Sequence, residues 1–332
     1  MTSPSKDDKD TSKQAQYFNQ RVPRFIDPHH HLWDRGGECY LVDEFSADLA
    51  LVGEPEGTVY VECLNNYRQC GPTELHCLGE TQFVVDLIRD SEAAARNIAV
   101  GYVGSGDLAL GDRLGEVLDA HANMAGERFK GVRYCVAWDE DHSIHTPFKT
   151  GSGMLLQSNL SDSVAHLRQR MLSLDLWAYF TQLGEVKQFL SEHPGVNIIL
   201  NHCGGPIGVG RFAAKREEVF HCWRRGLADI AAHEEVCIKF GGLGMALAGF
   251  GWHKREKCPV VSDYAQAWRP YFDVCLELFG PERIMFESNF PVDRKGCDYG
   301  SLWSVFLALA DDLSGSERDA LFFSTAQRLY SL

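Results

Sequence analysis

The stretch Phe25-Ile26-Asp27-Pro28-His29-His30-His31-Leu32-Trp33-Asp34 decides how this chain is interpreted. An apolar pair leads into three consecutive histidines. In an extended strand alternate side chains face the same way, so we expect His29 and His31 on one side and His30 on the other. Two imidazoles side by side at a strand end can bind one metal ion or one anionic group. A histidine run can also be a surface accident or part of a tag, but this one lies inside an apolar segment and is interrupted by Asp and Trp, which favours a functional site.

The composition is typical of a globular protein and limits the classes of partner. The chain has 332 residues, 45% of them hydrophobic and 23% charged, and a net charge of −14. This charge disfavours nucleic-acid and membrane partners, and no apolar run approaches the roughly 20 residues that cross a bilayer. The 11 cysteines are scattered singly, which is typical of free thiols in a reducing compartment. We therefore expect a cytoplasmic protein that acts on a small molecule, and a homo-oligomer is left open.

The rest of the chain alternates between short apolar runs and longer amphipathic segments. Residues 1–22 are polar and are expected to form a disordered tail, followed by one domain at 23–332. Eight strands are predicted at 24–27, 58–62, 98–103, 129–136, 174–180, 196–201, 236–240 and 283–287. Helices are predicted at 81–95, 112–124, 161–173, 185–192, 215–232, 264–278, 302–310 and 317–330. Strands alternating with helices in this way indicate an α/β fold, a (β/α)₈ TIM barrel, in which the insertion at 138–160 could cover the site.

Polar or ionisable residues follow seven of the eight predicted strands. In barrels of this type the carboxyl ends of the strands meet at one rim, where active sites form. Ionisable groups at the ends of buried strands are costly unless they are paired or functional, so their convergence predicts a reaction centre. The residues at this rim include His29, His31, Glu62, Lys130, Arg133, Tyr179, Gln182, His202, Lys239, Glu287, Asn289 and Asp293.

Five motifs resemble the amidohydrolase superfamily, and most closely its amidohydrolase-related branch of metal-dependent TIM-barrel hydrolases. They are Asp27-Pro-His-His-His-Leu-Trp-Asp34, Lys130-Gly-Val-Arg133, Leu200-Asn-His-Cys-Gly-Gly-Pro206, Lys239-Phe-Gly-Gly-Leu-Gly244 and Met285-Phe-Glu-Ser-Asn-Phe-Pro-Val-Asp293. The resemblance covers about residues 24–332. Because the branch includes lactonases for sugar lactones, it implies a hydrolase that opens a lactone or a similar cyclic ester.

The resemblance also implies a set of metal ligands. His29, His31 and His202 match positions that hold a divalent metal in some members and bind the substrate directly in metal-free ones. We expect zinc, with a metal-free mechanism as the alternative. Glu62, at the end of the second strand, is the expected additional ligand.

The general base is less certain, because Asn289 stands where the superfamily has its catalytic aspartate. An amide cannot act as a general base at neutral pH. Asp293, Glu287 and Glu62 are the alternative bases, in that order. Each of the three could instead be a carboxylate that orients a histidine.

Four further residues are candidate substrate contacts. The resemblance places Arg133 at an arginine position suited to a substrate carboxylate, which a guanidinium binds through two parallel hydrogen bonds. Lys239 is expected to contact a substrate anion or to pair with Glu287, and Tyr179 and Trp33 complete the set. The predicted reaction is the opening of a lactone of a small, anionic substrate by water that a metal or a carboxylate activates. A non-oxidative decarboxylase and a catalytically inactive binding protein are the alternatives.

Overall fold

The computed structural model describes residues 22, 24–144, 146–256 and 259–332 of the chain. The tail predicted at 1–22 lies outside these residues except for Val22, which is buried and donates its N–H to the Val52 carbonyl at 3.2 Å. The boundary between tail and barrel therefore stays a prediction. His145, in the insertion that is expected to cover the site, also lies outside the described residues.

Eight parallel strands form a barrel in the order in which they occur along the chain, which confirms the predicted fold. The barrel strands are β1 (Ile26–His30), β4 (Gly57–Val61), β5 (Gly101–Ser105), β6 (Phe129–Cys135), β7 (Ser173–Trp177), β8 (Ile198–Leu200), β9 (Val236–Phe240) and β10 (Ile284–Phe286). The short antiparallel hairpin of β2 (Trp33–Arg35) and β3 (Glu38–Tyr40) follows the first barrel strand. Each barrel strand overlaps one of the eight predicted apolar runs.

Helices connect the barrel strands, and three more follow the last strand. They are α1 (Val42–Ala50), α2 (Leu78–Arg89), α3 (Leu114–Ala125), α4 (Leu160–Gln169), α5 (Leu183–Glu192), α6 (Arg216–Ala231), α7 (Val261–Phe279), α8 (Tyr299–Leu309), α9 (Gly315–Asp319) and α10 (Thr325–Tyr330). A π-helical turn at Ala320–Ser324 joins α9 to α10, where the sequence predicts a single helix at 317–330. In the described part of the chain no helix is both long and apolar enough to cross a membrane.

One end of the barrel interior is filled by apolar side chains, and the polar residues lie at the other end. Branched side chains of neighbouring strands, such as Val59 and Val103, pack in one cluster with Tyr330 of α10. Leu332 approaches Gly57, the first residue of β4, so the end of the chain covers the amino-terminal side of the barrel. The ionisable residues of the site lie at the carboxyl end of the barrel strands.

The first and last barrel strands meet in a short seam of backbone hydrogen bonds. The N–H of His31 donates to the Phe290 carbonyl at 2.7 Å, and the N–H of Asn289 donates to the His29 carbonyl at 2.8 Å. Between them His30 forms an isolated parallel bridge with Phe290. The seam therefore joins the histidine run directly to the turn after the eighth barrel strand.

A buried carboxylate strengthens this seam. Oδ1 of Asp27 accepts from the N–H of Ser288 at 3.0 Å, and Oδ2 accepts from the hydroxyl of Tyr299 at 3.0 Å. Burial raises the pKa of Asp27 to about 6, although these hydrogen bonds act in the opposite direction. The first aspartate of the histidine stretch is thus a structural group on the outer side of β1.

We expect Asp27→Ala to lower the free energy of unfolding by about 3 kcal/mol, because three buried donors, the N–H groups of His29 and Ser288 and the hydroxyl of Tyr299, lose their acceptor. Asp27→Asn keeps one acceptor and should cost less.

The stability that Asp27 contributes should depend on pH. Its pKa is higher in the folded than in the unfolded chain, so its contribution to the free energy of unfolding is complete below about pH 4 and is lost as the pH rises through about 6. The advantage of the wild type over Asp27→Asn should therefore shrink over this range. Urea denaturation at several pH values measures it, and an advantage that grows with pH would contradict the assignment.

Candidate active site

Two histidines and one glutamate meet at the carboxyl end of the barrel. His29 lies in β1, His202 follows β8 and Glu287 follows β10. The two carboxylate oxygens of Glu287 lie 2.7 Å from Nδ1 of His202 and 2.8 Å from Nδ1 of His29. One potential ligand atom of each residue lies within 4.8 Å of the others, and all three side chains are buried. The structure thus brings together three residues that the strand-end pattern singles out.

Two turns with unusual backbone conformations position this cluster. His202 and Asn289 have φ angles of 52° and 53°, in the left-handed region that residues with side chains rarely adopt. Gly242 comes so close to His202 that a Cβ on the glycine would lie 2.6 Å from the histidine Cβ. Only glycine fits there. Such conformations persist where the surrounding structure enforces them, and they concentrate at functional sites.

A buried ion pair lies next to the cluster. Nζ of Lys239 is 2.6 Å from Oδ2 of Asp175 and 3.3 Å from Nδ1 of His29. The sequence predicts a substrate anion or Glu287 as the partner of Lys239, and the structure shows Asp175 instead. The hydroxyl of Tyr330 donates to both carboxylate oxygens of Asp175, at 2.9 Å and 3.0 Å. The substrate contact of Lys239 stays a prediction.

His31 and Asn289 connect the cluster to Asp293. Nδ1 of His31 lies 2.7 Å from the Val61 carbonyl, which can only accept, so a neutral His31 carries its proton on Nδ1. Oδ1 of Asn289 lies 3.3 Å from Nε2 of His31, and because both atoms accept in this tautomer they form a contact rather than a hydrogen bond. Nδ2 of Asn289 donates to Oδ1 of Asp293 at 3.5 Å. Oδ2 of Asp293 is buried and has no hydrogen-bond partner among the described residues. A buried oxygen of this kind is expected where a water molecule or a substrate binds.

Burial is the main influence on protonation at this site. It lowers the pKa of His29 and of His31 well below the usual value for histidine. It raises the pKa of Asp293 well above the usual value for aspartate, and the nearby charge of Glu287 acts in the same direction. Neutral imidazoles suit metal binding, and a carboxyl group with a raised pKa suits proton transfer.

The structure pairs Glu62, a predicted metal ligand, with Arg133, the predicted anchor for a substrate carboxylate. Nε of Arg133 donates to Oε1 of Glu62 at 2.9 Å, and the guanidinium also donates to the Glu62 backbone carbonyl. Both side chains are buried, so the pair brings no net charge to the site. The cluster of possible ligands among the described residues includes neither Glu62 nor His31. Their roles as ligands stay predictions.

Aromatic rings lie against the histidines on two sides. Trp33 stacks on His31, with ring centroids 6.2 Å apart and planes at 22°. Trp177 meets His202 edge-on at 4.5 Å, and Tyr179 in turn meets Trp177 edge-on at 5.5 Å. Tyr179 is therefore one ring away from the cluster, and its proposed contact with substrate stays a prediction.

Some residues of the site are not found by reading strand ends. Asp175 lies within the apolar run of β7, and Tyr330 lies at the far end of the chain. A charged residue inside a buried strand is a signal that it needs a partner, and this would have pointed to Asp175. No sequence pattern links Tyr330 to the site.

The donor set of the cluster fits a divalent metal ion. Two imidazoles and one carboxylate are the ligand types of catalytic zinc sites with three protein ligands, which keep one position for water or substrate. Nε2 of His29 is buried and has no hydrogen-bond partner in the described part of the chain. An unpartnered ring nitrogen beside a second imidazole and a carboxylate is what a metal site requires. His29, His202 and Glu287 are therefore the residues that would hold the ion.

Comparison with known proteins agrees with the resemblance of the sequence motifs to amidohydrolases. The family model described as amidohydrolase matches residues 26–332. The chain is 27% identical over 328 residues to y4mH of Sinorhizobium fredii, an uncharacterized protein, with 92% of this chain and 97% of that protein covered. It is 27% identical over 254 residues to L-fucono-1,5-lactonase of Burkholderia multivorans, with 76% and 77% covered. A crystal structure of an amidohydrolase from Burkholderia multivorans with bound zinc aligns with a TM-score of 0.70 at 25% identity, covering 93% of this chain and 99% of that one.

We expect the purified chain, equilibrated with zinc, to hold about one ion per molecule. His202→Ala and Glu287→Gln each remove one of three ligands, so zinc affinity should fall roughly tenfold or more. Inductively coupled plasma mass spectrometry after dialysis at fixed free zinc measures the bound metal. The control is His221→Ala, which removes an exposed imidazole on α6. Unchanged zinc content in both ligand variants would contradict the assigned set.

Proposed function

Because the chain belongs to the amidohydrolase family, we propose that it hydrolyses a lactone or similar cyclic ester of a small molecule that carries a carboxylate. The observation that carries the proposal is the buried cluster of His29, His202 and Glu287 with the carboxyl group of Asp293 beside it. The name of one matched relative, L-fucono-1,5-lactonase, supports an ester of a sugar acid as the type of substrate.

The cluster is proposed to activate the ester carbonyl. His29, His202 and Glu287 would hold a divalent ion, which would act as a Lewis acid toward a carbonyl oxygen and water. The stacked and edge-on rings of Trp33 and Trp177 limit the access of bulk solvent to the histidines, which are at most 4% exposed. Electrostatic interactions act more strongly in such surroundings than in water.

Asp293 is the proposed general base. Asn289 cannot accept a proton at neutral pH, Glu287 is engaged by two histidines, and Glu62 is paired with Arg133. Asp293 forms no ion pair with any described residue and keeps one carboxyl oxygen without a hydrogen-bond partner among them; Glu287 also has such an oxygen, but it lies 2.8 Å from Nδ1 of His29. Its ionised form takes a proton from water while the water oxygen bonds to the ester carbonyl carbon. It returns the proton to the ring oxygen when the carbon–oxygen bond of the ring breaks, which leaves the open hydroxy acid.

Product analysis separates this function from its alternatives. Lactone opening consumes water and releases one proton per turnover at neutral pH, whereas a decarboxylase releases carbon dioxide and a binding protein shows no turnover. We would test zinc-loaded protein against a panel of sugar-acid lactones in a pH-stat, with carbon dioxide measured in parallel. Proton release without carbon dioxide supports the proposal. Carbon dioxide release from an aromatic or enoic acid, or no turnover across the panel, contradicts it.

We expect Asp293→Asn to lower kcat by about 10²- to 10⁴-fold, the usual contribution of a general base. Wild-type kcat/KM should increase with pH along an acidic limb, because the base must be ionised. The pKa of that limb should lie above the ordinary value of about 3.9 for aspartate, since burial and Glu287 raise the pKa of Asp293. The pH–rate profile measures this, with the exposed Asp312→Asn as control. Wild-type turnover in Asp293→Asn would show that another group is the base.

A further inference from the structure

A cavity of about 410 Å³ lies beside the proposed reaction centre. The β2–β3 hairpin forms one wall, and the segment 291–295, which follows Asn289 and carries Asp293, forms another. Trp33 belongs to both places, because it lines the cavity and stacks on His31. A molecule in this cavity therefore lies one aromatic ring away from the histidines.

Basic residues outnumber acidic ones in the lining of this cavity, whereas acidic residues predominate in the whole chain. Arg294, Lys295 and His253 line it, and Glu38 is its one acidic lining residue. The chain as a whole carries a net charge of −14. Within the described ranges neither Arg294 nor Lys295 forms an ion pair. Two unpaired cations at the wall of a cavity are suited to bind an anionic group of a ligand.

The contacts of Arg294 and the indole nitrogen of Trp33 also favour binding of a polar ligand in this cavity. The guanidinium of Arg294 lies over the ring of Tyr40, 5.7 Å from its centroid, which restricts its orientation. Asp48, an acidic group near Arg294, accepts a hydrogen bond from the Tyr40 hydroxyl at 2.7 Å. Nε1 of Trp33 is buried and has no acceptor among the described residues. A buried donor without an acceptor is expected where a ligand supplies one.

On the basis of the function proposed above, we propose that Arg294 and Lys295 bind a carboxylate of the substrate that is separate from its ester. The substrate class is then an acidic lactone, such as the lactone of a sugar diacid. Arg133, the anchor expected from sequence, is already neutralised by Glu62. The cavity therefore supplies the cationic contact that Arg133 does not.

Binding of reaction products tests this without depending on turnover. Glucarate and gluconate differ by a carboxylate in place of a hydroxymethyl group. We expect the zinc-loaded protein to bind glucarate roughly tenfold more tightly than gluconate at low ionic strength, as measured by isothermal titration calorimetry. Arg294→Gln/Lys295→Gln should abolish this preference. Arg225→Gln/Lys215→Gln removes the same charge from exposed positions elsewhere and should retain it.

Kinetics with the matched lactones gives a second measurement. We expect kcat/KM for glucaro-1,4-lactone relative to glucono-1,4-lactone to fall about tenfold in Arg294→Gln/Lys295→Gln, mainly through KM. Equal binding of glucarate and gluconate by the wild type, or a preference that survives in this variant, overturns the inference even if lactones are hydrolysed. A preference that depends on Arg294 and Lys295 without hydrolysis of any lactone supports the anion site and contradicts the proposed function instead.

Discussion

Closure of the barrel between its first and last strands is the constraint on which the site depends. β1 contributes His29 and His31, and the turn after β10 contributes Glu287 and Asn289. The seam bonds hold these two segments at the spacing of neighbouring strands, so side chains that face inward from them meet. A slip of one residue in this register would turn the side chains of the displaced segment to the outside. The buried carboxylate of Asp27, with its raised pKa, is thus placed where register matters most.

The ionisable residues at the rim are arranged in pairs that leave little net charge. Lys239 is neutralised by Asp175, and Arg133 by Glu62. Buried pairs of this kind contribute little to stability, since desolvation opposes the attraction between the charges. Their value here is a set of fixed charges around the histidines, which does not have to reorganise when charge develops on a substrate. The cost of burial is therefore better explained by the chemistry of the site than by the stability of the fold.

The barrel and most rim residues could be predicted from sequence because both follow from local patterns. Apolar runs of four to eight residues mark the strands, and His29, His202 and Glu287 come directly from the strand-end rule. The pairings could not be predicted, since they depend on which strands face each other across the barrel. Asp175 as the partner of Lys239 is the clearest case. Sequence patterns do not reveal helix α1, because its connection, residues 32–57, also contains the hairpin and has only a weak helical pattern.

Asn289 explains why the base is assigned to Asp293. Glu287 and Asp293 are both buried, and the charge of Glu287 already raises the pKa of Asp293. A third carboxylate at position 289 would raise the pKa of Asp293 further through repulsion between like charges. An amide instead donates a hydrogen bond that lowers the pKa of Asp293 and favours its ionised form, while its other end reaches His31. An asparagine at this position is therefore compatible with the proposed role of Asp293 as general base, because its amide supports the carboxylate four residues later.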